Sequence, residues 1–594
     1  MNNALNWIIK KEPYIFFILV ILNLYTILLI DFYYSLDAPQ HLYVANIIAE
    51  LFRGNEEISK FILINDLIVG YWTGTFLLSL FKLFMMSNLA VKLLLVIYYT
   101  SIAYSFRYLV RSVKKEPTLL TLLIIPFSAT FFIGSGYYNF SLATGLMFLC
   151  LGYFIRTGNK VSWKAIVVMM LLLLLLFLTH AFVFAFTGLL LTIYVLYDFF
   201  RSWYRTAEIG NSINALLKSV RNLALASLPS VALWIYYVVS IQDVTRHFKV
   251  DYKQPGTLFE NLIDIKALSW FATEPHELIN RYLLSLLIFL VLFTVVIKLV
   301  KIYKKKQRLE RAEVLILDYG LVSVLMVTAF YFLYPDTLIT GNLSLRLLVL
   351  LYFVLIFWLA TQNYPKLISI LVLLVIIPVS FLKWDIRMQY LPKLSAKAQK
   401  IKEISRSMED NSVYITIDYY QYWAEYHFPV MPGIDKPLIY ANAPQIHGQH
   451  PLMINKETCP RIYLGSKGPY YTRLFWGLSG TDSVPIRPAD YVLRINLAAF
   501  NGTPVQQIAM KEINKYYILT DSSSNRSALL YELRNRNQLM KEYMAFSEFA
   551  AEEARYINKP LSVVYQDKYL ELLNKHSLKT SELSESDSVN FVKY

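Results

Sequence analysis

The sequence predicts a polytopic α-helical membrane protein of about eleven transmembrane helices followed by a soluble α/β domain. Three observations lead there. The 594 residues are 56% hydrophobic and 17% charged, with a mean hydropathy of +0.42, which is too apolar for an ordinary soluble chain. Apolar runs long enough to cross a bilayer recur as far as residue 383. Beyond Trp384 the apolar runs shrink to strand length.

The elements follow in order. The run from Pro13 to Tyr34 stands behind Lys10 and Lys11 and has no small-residue cleavage pattern before Asp37, so it reads as a retained signal anchor. The two lysines place the N-terminus in the cytoplasm, and Asp37 emerges on the periplasmic or lumenal side. The segment Phe61 to Phe84 carries Asn65, Asp66, Gly70, Gly74 and Lys82 and is ambiguous between a span and an interfacial helix. The run Leu89 to Leu109 ends in the basic block "RYLVRSVKKEP", which belongs inside, so Phe61 to Phe84 is expected to lie on the outer surface. With that choice the blocks Arg156 to Lys164, Arg201 to Arg221 and Lys298 to Arg311 also fall inside. The remaining spans are expected at 118–134, 137–155, 164–179, 181–200, 223–241, 282–302, 314–334, 344–361 and 366–383. An odd count leaves the C-terminal domain outside.

Residues 1–384 thus form a transmembrane domain with a first outer loop at 35–88, and 385–576 form an extracytoplasmic α/β domain. Its strands are expected at "VYITI" from Val413, "PLIYA" from Pro437, "RIYLG" from Arg461, "YVLRI" from Tyr491 and "YYILT" from Tyr516, with a helical stretch over Ser395 to Asp410. The tail 577–594 is polar. The net charge of +15 sits in short blocks between apolar runs, where it sets orientation, and this argues against nucleic acid as a partner. Two cysteines, Cys150 and Cys459, supply neither a disulfide framework nor a cysteine-rich metal site.

Candidate functional residues gather on the outer side. In "SLDAPQHLYVANIIAELF" Asp37 and His41 stand one helical turn apart, where a membrane-embedded substrate meets water. Asp37 with Gln40 is equally a capping box, and the residues alone do not separate the two readings. "GSGYYNFS" brings Tyr137, Tyr138 and Asn139 to the surface, His180 interrupts "LLLLLLFLTHAFVFAF", and Arg346 opens the span "RLLVLLYFVLIFWLA". A charge at the centre of a span costs roughly 2.5–3.5 kcal/mol on insertion scales, so such residues point to function. Each also has a structural reading: a snorkelling arginine, a histidine that divides a helical hairpin, and tyrosines of an aromatic belt. "HGQH" at His447 to His450 sits in a Pro-rich loop and makes a weak metal motif, "GLSGTDS" from Gly477 lacks the ending of a phosphate loop, and the N-x-[ST] matches at Asn139, Asn342, Asn501 and Asn525 carry little information if the source is bacterial.

A retained first span, an acidic residue in the first outer loop, interfacial helices before the second span, many further spans and a C-terminal outer domain resemble the GT-C superfamily of membrane glycosyltransferases. "DAPQHLYVANIIAEL", "GYYNFSLATG" and "LTHAFVF" further resemble multispan bacterial proteins of the Bacteroidetes type. The resemblance implies a bacterial inner-membrane enzyme that transfers sugar at the outer face from a polyprenyl-phosphate or -pyrophosphate donor to a glycan, lipid or protein acceptor. It implies Asp37 as general base, Arg346 with His180 and His41 at the donor phosphate, and Tyr138 and Asn139 at sugar hydroxyls. The outer domain, with tyrosine-rich stretches such as "DYYQYW", would bind the acceptor. The chain has no paired Asp-Asp or Asp-Glu in the first loop, so no residue is assigned to metal and the cofactor is unknown. The competing reading is a transporter or a membrane scaffold in which Asp37 is only a helix cap.

Overall fold

The computed structural model describes residues 2–65, 70–157, 162–206, 209–240, 250–270, 273–304, 318–334, 336–337, 342–419, 422–441, 450–455, 464–465, 475–476, 488–497, 510–511, 513–539 and 541. Most of "HGQH", all of "GLSGTDS", Asp66, Asn501 and the tail lie outside the described residues. The chain divides into two compact units, one of residues 1–38, 66–81 and 88–395, the other of residues 39–65, 82–87 and 396–594.

The helices that matter below are α1 (Glu12–Leu29), α2 (Ala38–Phe52), α3 (Thr73–Lys82), α4 (Ser87–Val113), α5 (Tyr138–Thr157), α6 (Trp163–Thr179), α7 (Ala181–Thr206), α8 (Ile209–Ser240), α9 (Thr273–Lys304), α10 (Tyr319–Leu333), α11 (Leu343–Thr361) and α12 (Lys366–Glu403). Among the described residues eight helices are long and apolar enough to cross a membrane, and α6 and α10 are shorter apolar helices. The chain is a polytopic α-helical membrane protein.

Two expected segments differ in form. The run 118–134 is not one span but a 3₁₀ turn (Leu119–Leu123) and two four-residue helices (Ile124–Phe127, Phe131–Gly134), with Thr118 and Thr130 side chains capping the first and last. These local hydroxyl caps, with Pro126 between them, restart the helix instead of extending it. Phe61 to Phe84 is likewise broken, into the strand β1 (Ile62–Ile64) and α3, whose ten residues reach only ~15 Å. That is half of a hydrocarbon core of ~30 Å.

Helix α11 is apolar on every side, and 89% of its apolar window is buried, as expected of a helix surrounded by others. Its N-terminus is held by Asp336, whose carboxylate accepts from the Leu343 N–H and the Ser344 hydroxyl, each over 2.8 Å. This bond fixes the first turn, on which Arg346 stands. Near the start of α1 the buried Glu12 receives two bonds of 2.9 Å from Arg107, one of 3.1 Å from Arg111 and one of 3.0 Å from Thr121. Helix α12 continues without a break past Trp384 to Glu403 despite Pro378 and Pro392, so the change in composition at 384 does not end a helix.

In the second unit a five-stranded sheet is built from β2 (Val413–Asp418), β3 (Ile439–Tyr440), β5 (Tyr491–Ile495), β6 (Tyr517–Ser522) and β7 (Ala528–Leu533), in the order β6-β7-β5-β2-β3. Strand β2 is fully buried and runs parallel to both neighbours, whereas β5, β7 and β6 pair antiparallel. Strand β1 pairs with β4 (Leu452–Ile454) in register Ile62 to Ile454. From α2, Asn46 donates to the Gly433 and Lys436 carbonyls over 3.1 and 3.0 Å, and the Tyr43 hydroxyl accepts from the Tyr440 N–H over 2.8 Å. Asp435 receives the ammonium groups of Lys82 and Lys402 and, over 2.8 Å, the Ser87 N–H. Burial alone would raise the Asp435 carboxyl, but the two lysines outweigh it and hold it at about 2.

Candidate functional site

Five of the six sequence-derived site residues fall in the first unit: Asp37, Tyr138, Asn139, His180 and Arg346. His41 falls in the second, where it is half-buried on α2.

Helix α6 ends at Thr179 and α7 starts at Ala181, so His180 occupies the joint in an extended conformation. Residues 70–74 lie along that joint. The Ala181 N–H donates to the Gly70 carbonyl over 3.3 Å, and Trp72 N–H to the Leu178 carbonyl over 3.1 Å. A Cβ on Gly70 would stand 2.9 Å from that of Ala181, so this approach requires glycine. Asn139 clamps the same segment: its Nδ2 donates to the Tyr71 carbonyl over 2.7 Å, and its Oδ1 accepts from the Gly74 N–H over 2.6 Å. The result places the Tyr71 ring edge-on to His180 at 4.8 Å.

His180 is 2% exposed and its Nε2 lies 2.8 Å from Nη1 of Arg346, itself 6% exposed. A guanidinium only donates, so Nε2 accepts and the ring is neutral, with its proton on Nδ1. Nδ1 then cannot accept from the Val183 N–H, which stands at a long 3.4 Å, and of the two contacts the shorter one to arginine sets the tautomer. The Arg346 guanidinium also lies 5.3–5.5 Å from the centroids of Phe132, Tyr137 and Phe140, a range at which aromatic faces attract a cation.

Asp37 is held through its backbone. Its N–H donates to the Ser135 carbonyl over 3.0 Å, and Gly136 lies so near that a Cβ there would meet Asp37 at 2.9 Å. Gly136 has φ +86, a left-handed conformation that glycine adopts at little cost. Next to it Tyr138, 1% exposed, shares a 2.8 Å hydrogen bond with the Ser35 hydroxyl. The capping box expected of Gln40 is not formed: the Asp37 N–H goes to Ser135, and both polar atoms of the buried Gln40 side chain have no hydrogen-bond partner among the described residues.

Tyr138 and Asn139 are therefore engaged internally, and the half-buried residue of this loop is Tyr137. Asp37 acts electrostatically on Tyr137 and Tyr138, and Tyr137 is also one of the three rings around Arg346. One turn, Ser135 to Asn139, thus touches the first-loop acid, the arginine–histidine pair and the Tyr71 segment. Sequence reading missed Tyr71, Ser35 and the part played by Gly136; the only local signal was "GSG" directly before the two tyrosines. Among the described residues no group of three His, Cys, Asp or Glu side chains is arranged to hold a metal.

No family model matches the chain, and no curated protein matches it. Among solved structures it is similar to ArnT from Cupriavidus metallidurans in the apo state, at 10% identity over 89% of this chain and 98% of that one, with a TM-score of 0.45. It is also similar to ArnT from the same organism bound to undecaprenyl phosphate, at 9% identity, over the same shares of the two chains and with a TM-score of 0.37.

Proposed function

We propose that this chain is a glycosyltransferase that moves a sugar from a polyprenyl-phosphate or polyprenyl-pyrophosphate carrier to an acceptor at the outer face of a bacterial inner membrane. The observation that carries the reading is the turn at Gly136 and Tyr137, which adjoins Asp37 on one side and Arg346 on the other. Transfer needs those two kinds of group together, a base at the entering nucleophile and a cation at the leaving phosphate.

Asp37 takes the proton of the acceptor hydroxyl or amine as that atom bonds to the anomeric carbon. The bond from that carbon to the carrier phosphate breaks, and the phosphate leaves with the electron pair. Arg346 meets the charge that builds on the phosphate oxygens, because a guanidinium presents paired donors in a plane and stays charged throughout. His180, neutral and accepting from Nη1, fixes the plane of that fork. Asn139 acts at one remove by holding Tyr71 against His180, and Tyr137 is the side chain that meets the sugar. The outer α/β domain binds the acceptor.

The test is carrier turnover. Purified protein in lipid nanodiscs is incubated with a polyprenyl-phosphate sugar and an envelope extract, and released polyprenyl phosphate is counted against labelled sugar in the acceptor fraction. Equal, protein-dependent appearance of both supports the reading. Movement of intact donor across proteoliposomes without cleavage would replace it with the transporter.

A further inference from the structure

Two helices of the first unit each present a polar pair four residues apart, which places both members of a pair on one face. On α9 the pair is His276 and Asn280, and on α12 it is Lys383 and Arg387. All four are buried, at 4%, 0%, 1% and 5% exposure. Lys383 Nζ donates to Asn280 Oδ1 over 2.8 Å and so joins the two faces. The Asn280 amide nitrogen lies within 3.1–3.2 Å of the Asp264 and Ile265 carbonyls and the Ser269 hydroxyl, so this residue is fully engaged. Arg387 Nη1 and His276 Nδ1 are buried with no hydrogen-bond partner among the described residues.

The charges that act on this group are its own. His276 feels Lys383 and Arg387, and Lys383 feels Arg387, with no carboxylate of the described residues among them. Asp385, two residues from either cation, instead accepts from Gln389 at the exposed surface over 2.7 Å. A buried guanidinium without a partner is costly, and like charges one turn apart on a helix add to the cost. Elsewhere the chain pairs the buried Lys82 and several half-buried cations with carboxylates: Arg107 and Arg111 share Glu12, and Lys82 and Lys402 share Asp435. Here no compensating anion stands among the described residues. Tyr33 and Tyr98 lie within electrostatic range of Arg387, which adds polar neighbours to the group.

We infer that His276, Lys383 and Arg387 form a second anion site that takes a phosphate group, in addition to the Arg346–His180 pair. An arginine fork, a point-like ammonium and an imidazole N–H are the donors that a tetrahedral oxyanion matches, and their desolvated setting strengthens each bond. The phosphate belongs either to a lipid headgroup or to free phosphate. The inference does not depend on the transferase reading.

The test is thermal unfolding of the full chain in detergent with three probes: inorganic phosphate, phosphatidic acid and diacylglycerol. A saturable rise in Tm with phosphatidic acid alone supports a lipid phosphate, and a rise with inorganic phosphate supports the free ion; diacylglycerol, which lacks the phosphate, gives none. Arg387→Met is expected to weaken the binding read from that rise at least tenfold while leaving the ligand-free Tm equal or higher, because it removes an unpaired buried charge. His276→Leu repeats the test should Arg387→Met fold poorly, and Arg346→Lys is expected to keep the rise. The inference is overturned if neither phosphate probe shifts Tm, if the shift survives in both Arg387→Met and His276→Leu, or if Arg346→Lys alone abolishes it.

Discussion

Replacing Gly136 by alanine tests whether the position of Asp37 matters to the chemistry. The new Cβ would stand 2.9 Å from both Cβ and N of Asp37, where ordinary contact begins at 3.4 Å, so the acid must retreat by 3.4 − 2.9, about 0.5 Å. The same change also strains the backbone, since φ is +86, and left-handed geometry costs a residue with a Cβ about 1–2 kcal/mol. Gly54→Ala separates the two effects, because Gly54 has φ +80 and nothing within 4 Å of its added Cβ. Both variants are expected to lose stability in thermal unfolding, Gly136→Ala the more because it adds the contact with Asp37. Only Gly136→Ala is expected to lose transfer, by about tenfold, the half-way point on a logarithmic scale to the ~100-fold associated with a 1 Å misplacement. The assay is transfer rate per folded protein at saturating donor. Equal rates in the two variants would refute the claim that the 135–137 turn positions a reacting group.

Three other outcomes follow from named contacts. Glu12→Gln leaves two partly buried guanidinium groups without a countercharge and is expected to destabilise by about 3–5 kcal/mol, read as a fall in Tm, with no change in the donor KM. His180→Gln, whose amide oxygen can still accept from Arg346, is expected to keep a lower donor KM than His180→Leu; equal values would remove His180 from the phosphate site. The Asp435 clamp makes stability pH-dependent, because its folded carboxyl lies at about 2 against an ordinary value of 3.8. Such a depressed group contributes fully above the unfolded value and loses its contribution as pH falls from about 4 through 2, a total of about 2 kcal/mol. Melting from pH 6 downward is expected to show this fall in the parent, and Asp435→Asn is expected to lack that part of it.

The apolar runs made most of the helices legible, because a bilayer demands length and hydrophobicity that few other structures require. Short strands such as "VYITI" and "YVLRI" were legible for a related reason: β-branched and aromatic residues over strand length became β2 and β5. The run 118–134 misled because its mean hydropathy hides Thr118, Pro126 and Thr130, which act through local hydrogen bonds and ring geometry. Composition changes at Trp384 while α12 continues to Glu403, and the first unit runs on to Ser395. Within the site, His180 and Arg346 were visible as polar residues in apolar surroundings, but their 2.8 Å contact joins positions 166 residues apart, which one sequence does not encode locally. Polar groups near an outer turn point Tyr138 and Asn139 toward a ligand in the sequence. The fold directs their polar atoms to Ser35, Tyr71 and Gly74, leaving Tyr137 as the half-buried member of that turn. The buried group at His276, Lys383 and Arg387 gave no signal at all, since i and i+4 polar pairs on two distant helices resemble ordinary interfacial residues until they pack together.

The most direct test of the account is sugar transfer by Asp37→Asn in folded, membrane-inserted protein, with Asp37→Ala beside it. Asparagine preserves the length of the side chain and its capping oxygen but cannot serve as a carboxylate base. If Asp37 is that base, both variants lose transfer by about 100-fold or more while Asp37→Asn melts with the parent. Full transfer by Asp37→Asn, with only Asp37→Ala destabilised by about 0.5–2 kcal/mol, would make Asp37 a helix cap and contradict the account.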